Sequence, residues 1–384
     1  MKSNYKRIGE HIRLVDERNK GLQVKQLLGL SISKQFIPSV ANIIGTDMEN
    51  YKIIRKNQFA CSTMQVRRDK KMPVALLQEV DEAIISQAYP IFEVRDPNEL
   101  LPEYLMMWFT RSEFDREACF HAVGGVRGSL EWEDFEDMQL PIPHPVKQRE
   151  IVNEYNVIQN RIALNQQLIQ KLEETAQAIY KQWFVEFEFP DENGKPYKSS
   201  GGEMVWNEEL QKEIPKGWEV DGLGSIMEIT SGKTPLDKNG IKEANYIYPI
   251  YGAGGIMGYS TKFLFNEKLL SMGRVGTHGV IQRINFPCWL SDNTLIIKSQ
   301  FYEYLNQVLL NINYDEINRG GVQGLITQTD INNSRTLIPS NTILIQFENI
   351  IGRIMTYAEL NKILTQKTMD LNDLLLSKLV TIEN

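Results

Sequence analysis

The residues able to carry covalent or metal chemistry are few and scattered. His11, His121, His144 and His278 lie far apart, with no His-Glu-x-x-His box and no paired ligand spacing, so each reads as a structural or surface histidine. Cys61, Cys119 and Cys288 show no Cys-x-x-Cys spacing. They offer neither a zinc site nor a disulfide framework, and they fit a reducing cytosol as small buried hydrophobes. The run GAGGIMG at 252–258 has the glycine density of a phosphate loop. Met257 stands where Gly-x-Gly-x-x-Gly needs its last glycine, and no Lys-Ser/Thr pair follows, so a glycine-rich β-turn is the better reading. No nucleophile elbow, catalytic dyad or Asn/Asp-Pro-Pro-Tyr box occurs; YPIY at 248–251 lacks the acid and the second proline. The sequence does not read as that of an enzyme, and no metal site is expected.

The elements that would position any site come from the chain's organisation. With 384 residues, 42% hydrophobic and 24% charged, the composition is globular and long enough for about two to three domains. There is no run of about 18 apolar residues, and the start, MKSNYKRIGEHIR, is polar, so neither a membrane span nor a secretory signal is expected. The formal net charge of −7 is concentrated locally: residues 184–213 hold eight acids and three bases. Basic clusters such as VRRDKK at 66–71 stand elsewhere, and attraction to a polyanion depends on such local patches.

The chain is written twice. GGVRGSLEWEDF, LPIPHP and QREI from Gly124 onward recur as GGVQGLITQTDI, TLIPS and QFENI from Gly320, at an offset of 196. EYL recurs at Glu103–Leu105 and Glu303–Leu305, and LNxxL at Leu164–Leu168 and Leu360–Leu364. A unit this long is a repeated domain and not a solenoid repeat. Each copy mixes short strand-like runs with short helices and ends in a long helix. The first helix carries the stripe Ile151, Tyr155, Ile158, Ile162, Asn165, Ile169, Leu172, Ala176, Ile179, Trp183, an unbroken 4,3 alternation that predicts a coiled coil. The second gives Ile350, Ile354, Tyr357, Asn361, Leu364, Thr368, Leu371, Leu375. The expected pairing residues are Ile158, Ile162, Asn165, Ile169 and Leu172 with Ile354, Asn361, Leu364 and Leu371, the simplest partner of each helix being the other, antiparallel. Two readings are open for Asn165 and Asn361: a register-fixing pair, or side chains turned to solvent.

Several motifs resemble the specificity subunit of type I restriction–modification systems. These are IYKQWFVEFEFP at 179–190, IPKGWEV at 214–220, SGKTP at 231–235 and the Gly273-Arg274-x-Gly276-x-x-Gly279 loop. The resemblance implies an α+β chain in which two pseudo-repeated α/β target recognition domains are joined by two long helices forming an antiparallel coiled coil. On that layout the boundaries are an N-terminal helical segment at 1–20 (Ile8, Ile12 and Val15 on one face), a first recognition domain at 21–145 and the family's central conserved helical region at 146–190. A linker at 191–213, a second recognition domain at 214–342 and a C-terminal helical region at 343–384 complete it. The resemblance further implies a non-catalytic subunit of the prokaryotic cytoplasm that reads a split, asymmetric target in double-stranded DNA. It would dock two modification (methyltransferase) subunits and, with two restriction (motor-nuclease) subunits, form the restriction complex. S-adenosylmethionine, ATP and Mg would bind those partners, with no cofactor in this chain.

The first module departs from the family pattern: it shows SISKQFIPS (31–39) and CSTMQVRRDKKMP (61–73) where SGKTP and Gly-Arg-x-Gly would stand. Two modules on a helical spacer would meet grooves a fixed distance apart, with Arg, Lys, Gln and Asn on glycine-rich loops reading bases and other cations holding phosphate. The candidate DNA contacts are Lys34, Arg67, Arg68, Lys70 and Arg127 in the first module, and Lys233, Thr234, Arg274, His278, Arg319 and Gln323 in the second. For each one, solvated surface charge stands as the alternative. At the level of the whole chain the alternatives are a coiled-coil scaffold whose modules bind protein or glycan, a solitary or phage-borne relative that redirects or blocks a host system, and an enzyme with an unrecognised site.

Overall fold

The computed structural model describes residues 5–39, 47–125, 128–274, 280–317 and 325–379. The chain divides into two compact units, residues 1–166 with 363–384, and residues 167–362. Each holds one mixed helix-and-sheet module and a stretch of each long helix. No described helix is long and apolar enough to cross a membrane.

In the first unit a four-stranded antiparallel sheet runs in the order Ile12–Val15, Ile91–Val94, Gln58–Cys61, Val74–Leu76. Successive side chains of a strand point to opposite faces. Phe59, Cys61, Phe92 and Val94 therefore enter one core, with Phe59 stacked on Phe92 at 4.9 Å. Phe109, Phe114 and Phe135 close over them from helices Pro102–Thr110, Ser112–His121 and Trp132–Asp137. Ala60 and Ile91 enter a second core with Ile54, Leu77 and Ile85. Strand Tyr5–Arg7 pairs with Gln139–Pro141, after which the chain enters the first long helix, Pro145–Tyr180.

This corrects the helical segment expected over 1–20. Among the described residues of this span, α-helix is confined to Ile8–His11; the strands on either side belong to the first module, which thus includes residues before 21. Ile8 and Ile12, four apart, mimic a helix face because a single turn lets both enter the same core.

The second unit repeats the plan: Glu228–Ser231, Thr294–Lys298, Leu269–Gly273, Gln282–Ile284, again all antiparallel. Leu270, Met272, Leu295 and Ile297 enter the larger core, Leu269, Ile284 and Ile296 the smaller. Arg335–Ile338 pairs with Glu219–Gly222 and leads into the second long helix, Asn341–Lys378. The repeated EYL now has a reason. Tyr104 and Tyr304 are both fully buried and donate their hydroxyls to carbonyls of the closing strands, Pro141 and Leu337. GAGGIMG forms an antiparallel hairpin, strand Tyr248–Gly252 against Gly255–Ser260.

Residues 191–213, expected as a linker, are structured. Met204–Asn207 pairs with Lys212–Pro215, and Trp218 of IPKGW stacks on Phe189 at 4.9 Å and lies 5.9 Å from Phe184. The aromatic close of the first long helix and the IPKGW opening are thus parts of one core, with Gly217 at φ +82° making the turn between Lys216 and Trp218.

Within each unit the two helical segments run antiparallel. In the first, Gln159 Nε2 donates to Asn372 at 2.8 Å, while Ile151 and Val152 share a core with Leu376 and Leu379. In the second, Lys362 pairs with Glu173 at 2.7 Å, and Ala176 shares a core with Ile351, Met355 and Ala358. On the first helix Ile158, Ile162 and Asn165 are buried, with Ile169 and Leu172 half-buried. On the second, Ile354 is half-buried and Asn361 buried, but Leu364 is 40% and Leu371 53% exposed, which removes both from the pairing seam. Apart from Asn361, which both stripes share, the inward stripe sits one residue over, on Ile351, Met355, Ala358, Thr365 and Leu376. Burial of both asparagines rules out the solvent-facing reading.

Candidate nucleic-acid interface

In the second unit, segments distant in sequence meet at one end of the four-stranded sheet. Gly232 of SGKTP lies so near the 290–291 backbone that a Cβ there would stand 2.1 Å from the Ser291 carbonyl oxygen; only glycine permits this approach. The Gly232 N–H donates to Thr294 O at 3.0 Å, the Lys233 N–H to Leu290 O at 2.9 Å, and Trp289 Nε1 to Lys233 O at 2.7 Å. The Arg274 N–H donates to Asn293 O, and the Ile326 N–H to Arg274 O, both at 3.0 Å. On this frame Lys233, Thr234, Asp292 and Asn293 are exposed and Arg274 is half-buried. Thr234 Oγ1 donates to Asp292 Oδ2 at 3.1 Å. The structure thus brings Lys233, Thr234 and Arg274 together. His278, Arg319 and Gln323 lie outside the described residues, as does Arg127 of the first unit.

In the first unit Arg67, Arg68 and Lys70 are exposed on and just after the short helix Val66–Asp69. The Arg67 guanidinium donates to Gly124 O at 2.9 Å, and its N–H to Gly128 O at 3.2 Å, which ties this segment to the GGVRG loop. Arg68 makes a two-pronged pair with Asp69, at 2.6 and 3.0 Å. Lys34 is a correction. Its ammonium is buried, paired with Asp115 at 2.8 Å, bonded to the Phe109 carbonyl and set over the Phe114 ring. Burial pushes its pKa down against the pull of Asp115. A cation enclosed in this way is not available to phosphate or base; it braces the two helices Pro102–Thr110 and Ser112–His121.

Strand register gives the equivalence of the two units, and with it a second correction. Ala60 pairs with Ile91 as Gly273 pairs with Thr294, and Leu14 pairs with Phe92 as Ser231 pairs with Leu295. Asp16 therefore stands where the second unit has Lys233, Cys61 where it has Arg274, and Tyr89 where it has Asp292. The counterpart of SGKTP is the stretch from Leu14 onward and not SISKQFIPS. CSTMQVRRDKKMP does follow the strand equivalent to the one before Gly273-Arg274. The same frame thus carries different residues at its loop edge: Asp16 is exposed and Tyr89 half-buried there, whereas Cys61 turns into the core. Sequence reasoning missed Asp292 and Asn293, because Ser-Asp-Asn reads as an ordinary turn until strand pairing sets it beside SGKTP.

The described histidines do not converge on this edge: His11 is buried near Glu99, and His144 accepts the Val146 N–H at the start of the first long helix. Among the described residues no cluster of three or more His, Cys, Asp or Glu could hold a metal.

A sheet written twice, each copy presenting polar and cationic loops and each closing into a long helix, defines a two-module recognition protein. The chain belongs to the family of type I restriction modification DNA specificity domains, whose model matches residues 41–174 and again 215–371. It is thus a type I specificity subunit, a DNA-recognition component that is not itself catalytic. It is 25% identical over 311 residues to the type I restriction enzyme MjaIX specificity subunit of Methanocaldococcus jannaschii, covering 73% of this chain and 68% of that one. To the HindI specificity subunit of Haemophilus influenzae it is 21% identical over 90% of both chains. Its fold matches the crystal structure of a type I system S subunit from M. genitalium with a TM-score of 0.61 at 15% identity, over 99% of this chain and 96% of that one. Family membership favours the DNA reading over the scaffold and enzyme alternatives.

Proposed function

We propose that each unit reads one half of a split, asymmetric target in double-stranded DNA. The observation that carries this is the pairing of one frame with two edges: identical strand order in both units, but Asp16 and Tyr89 where the other has Lys233 and Asp292. A shared frame gives both modules the same way of meeting a groove, and different side chains give each its own half-site.

The long helices, on this reading, hold the half-sites apart and dock two modification (methyltransferase) subunits, to which two restriction (motor-nuclease) subunits add. Exposed apolar side chains on them support docking. In the first unit these include Val157, Leu164, Ile363, Leu371 and Leu374; in the second, Ile350, Tyr357 and Leu360. S-adenosylmethionine, ATP and Mg would be held by those partners, and the complex would act in the prokaryotic cytoplasm. The test is co-expression with the cognate methyltransferase subunit and single-base mapping of adenine methylation. One split motif, methylated on both strands and absent without this chain, is the expected result. An unsplit motif, or methylation that does not depend on the chain, would overturn the reading.

A further inference from the structure

We propose that Asp292 is a base-reading residue of the second recognition domain. Its carboxylate, positioned by Thr234, accepts a hydrogen bond from an exocyclic base amino group, N4 of cytosine or N6 of adenine. The inference rests on the DNA-reading function above.

Asp292 lies on a loop braced from several sides. The Ser291 N–H donates to Tyr251 O at 3.0 Å, and Thr294 closes back on Ser291 O through both its N–H, at 3.0 Å, and its hydroxyl, at 2.6 Å. The Arg274 N–H holds Asn293 O from the other side. Gly232, pressed on Ser291 without a Cβ, locks the SGKTP loop to the same frame. A side chain on such a frame is held in place before any ligand arrives, as discrimination between bases requires. A phosphate contact tolerates far more play.

The charge of Asp292 narrows its role further. An ionised carboxylate only accepts hydrogen bonds, so phosphate repels it. The exposed carboxylate takes a hydrogen bond from Thr234 and forms no ion pair with any described residue. Thr234 occupies Oδ2, and Oδ1 accepts no hydrogen bond from any described residue. On the major-groove edge of a base pair, the amino donors open to an acceptor-only group are N4 of cytosine and N6 of adenine. Thr234 is thereby a positioning residue and not itself the reader. The equivalent position of the first unit is Tyr89, so the effect belongs to one half-site, and the other half-site serves as an internal control.

The experiment uses the full chain with its methyltransferase partner. Asp292→Ala and the isosteric Asp292→Asn should each alter a single position in one half of the methylated motif and leave the other half unchanged. Thr234→Val should relax the same position more weakly. Binding is then measured on duplexes in which the base at that position lacks its amino group, with 2-pyrimidinone for cytosine and purine for adenine. Loss of the amino group should weaken the wild type roughly ten- to a hundredfold and Asp292→Ala hardly at all. The analogue that does so tells cytosine from adenine. An unchanged motif with uniformly tighter binding in Asp292→Ala would show an acid that merely repels phosphate and would overturn the proposal. Uniform weakening of both half-sites would overturn it too. If the wild-type chain directs no split motif, the underlying DNA reading fails instead.

Discussion

The Tyr104 hydroxyl reaches across the first module to donate a 3.0 Å hydrogen bond to the carbonyl of Pro141, in the strand that closes the module before the long helix. Tyr304 makes the same bond to Leu337 in the second unit. Each is the polar tip of a fully buried ring, so the bond ties the exit strand to the helix that begins with EYL. Tyr104→Phe should cost about 1–2 kcal/mol, the loss of one buried hydrogen bond with a carbonyl left underused, and Tyr304→Phe a similar amount. Urea denaturation of the two variants checks this; a change under about 0.3 kcal/mol in both would refute it.

Lys34 should behave as a core residue. Lys34→Ala strands Asp115, which among the described residues then keeps the Met72 N–H at 3.1 Å, and an unpaired buried carboxylate costs about 3 kcal/mol or more. The expected outcome is a lower denaturation midpoint, with the methylated motif of the surviving folded protein unchanged. A normal midpoint with a relaxed motif would return Lys34 to the DNA surface.

Glu348 predicts a pH dependence. From the second long helix it accepts the N–H groups of Glu303 at 3.1 Å and Tyr304 at 2.9 Å, at the start of helix Tyr302–Asn311. Burial pushes its carboxyl from the ordinary 4.5 up to about 7, against the pull of those two donors. The folded state therefore holds the proton more tightly than the unfolded chain. The contribution of this group to stability is complete below about pH 4.5 and is lost as pH rises through about 7. Glu348→Gln keeps an acceptor and drops the charge, much as Gln148 accepts the Leu101 N–H at 2.9 Å in the first unit. The variant should gain on the order of 1–2 kcal/mol at pH 8 and little at pH 5, read from denaturant titrations at the two values. Equal effects at both would dismiss the titration of Glu348 as the cause.

The two stripes of the second long helix should separate cleanly. Leu376→Ala removes a buried side chain and should destabilise by about 2–4 kcal/mol. Leu371→Glu, at an exposed position, should change stability by no more than about 0.5 kcal/mol while abolishing co-purification with the methyltransferase subunit. Retained co-purification would mean that this stripe is not the docking surface.

Much of this was legible beforehand, for identifiable reasons. The repeat, the first helix and its seam follow from spacing alone, and every seam residue named on that helix is buried or half-buried. On the second helix the reading slipped by one residue because two apolar stripes compete. Ile350, Tyr357, Leu364 and Leu371 keep a perfect period of seven, whereas the true seam contains the weaker Ala358 and Thr365 beside the shared Asn361. Period says that a stripe is apolar, not whether it meets this chain or another. The N-terminal strand was missed because its partner, Gln139–Pro141, lies more than 130 residues away.

Sequence patterning by itself thus determined the kind of protein: two copies of one module, read by matching short motifs 196 residues apart, and two long helices, read from local spacing. Tertiary structure alone decided which polar side chains face outward together. Whether Lys34 is buried, whether Thr234 meets Asp292 and which residue of one unit answers to which of the other are set by strand pairing between distant segments. That pairing depends on which faces are buried in common, and no local pattern records it.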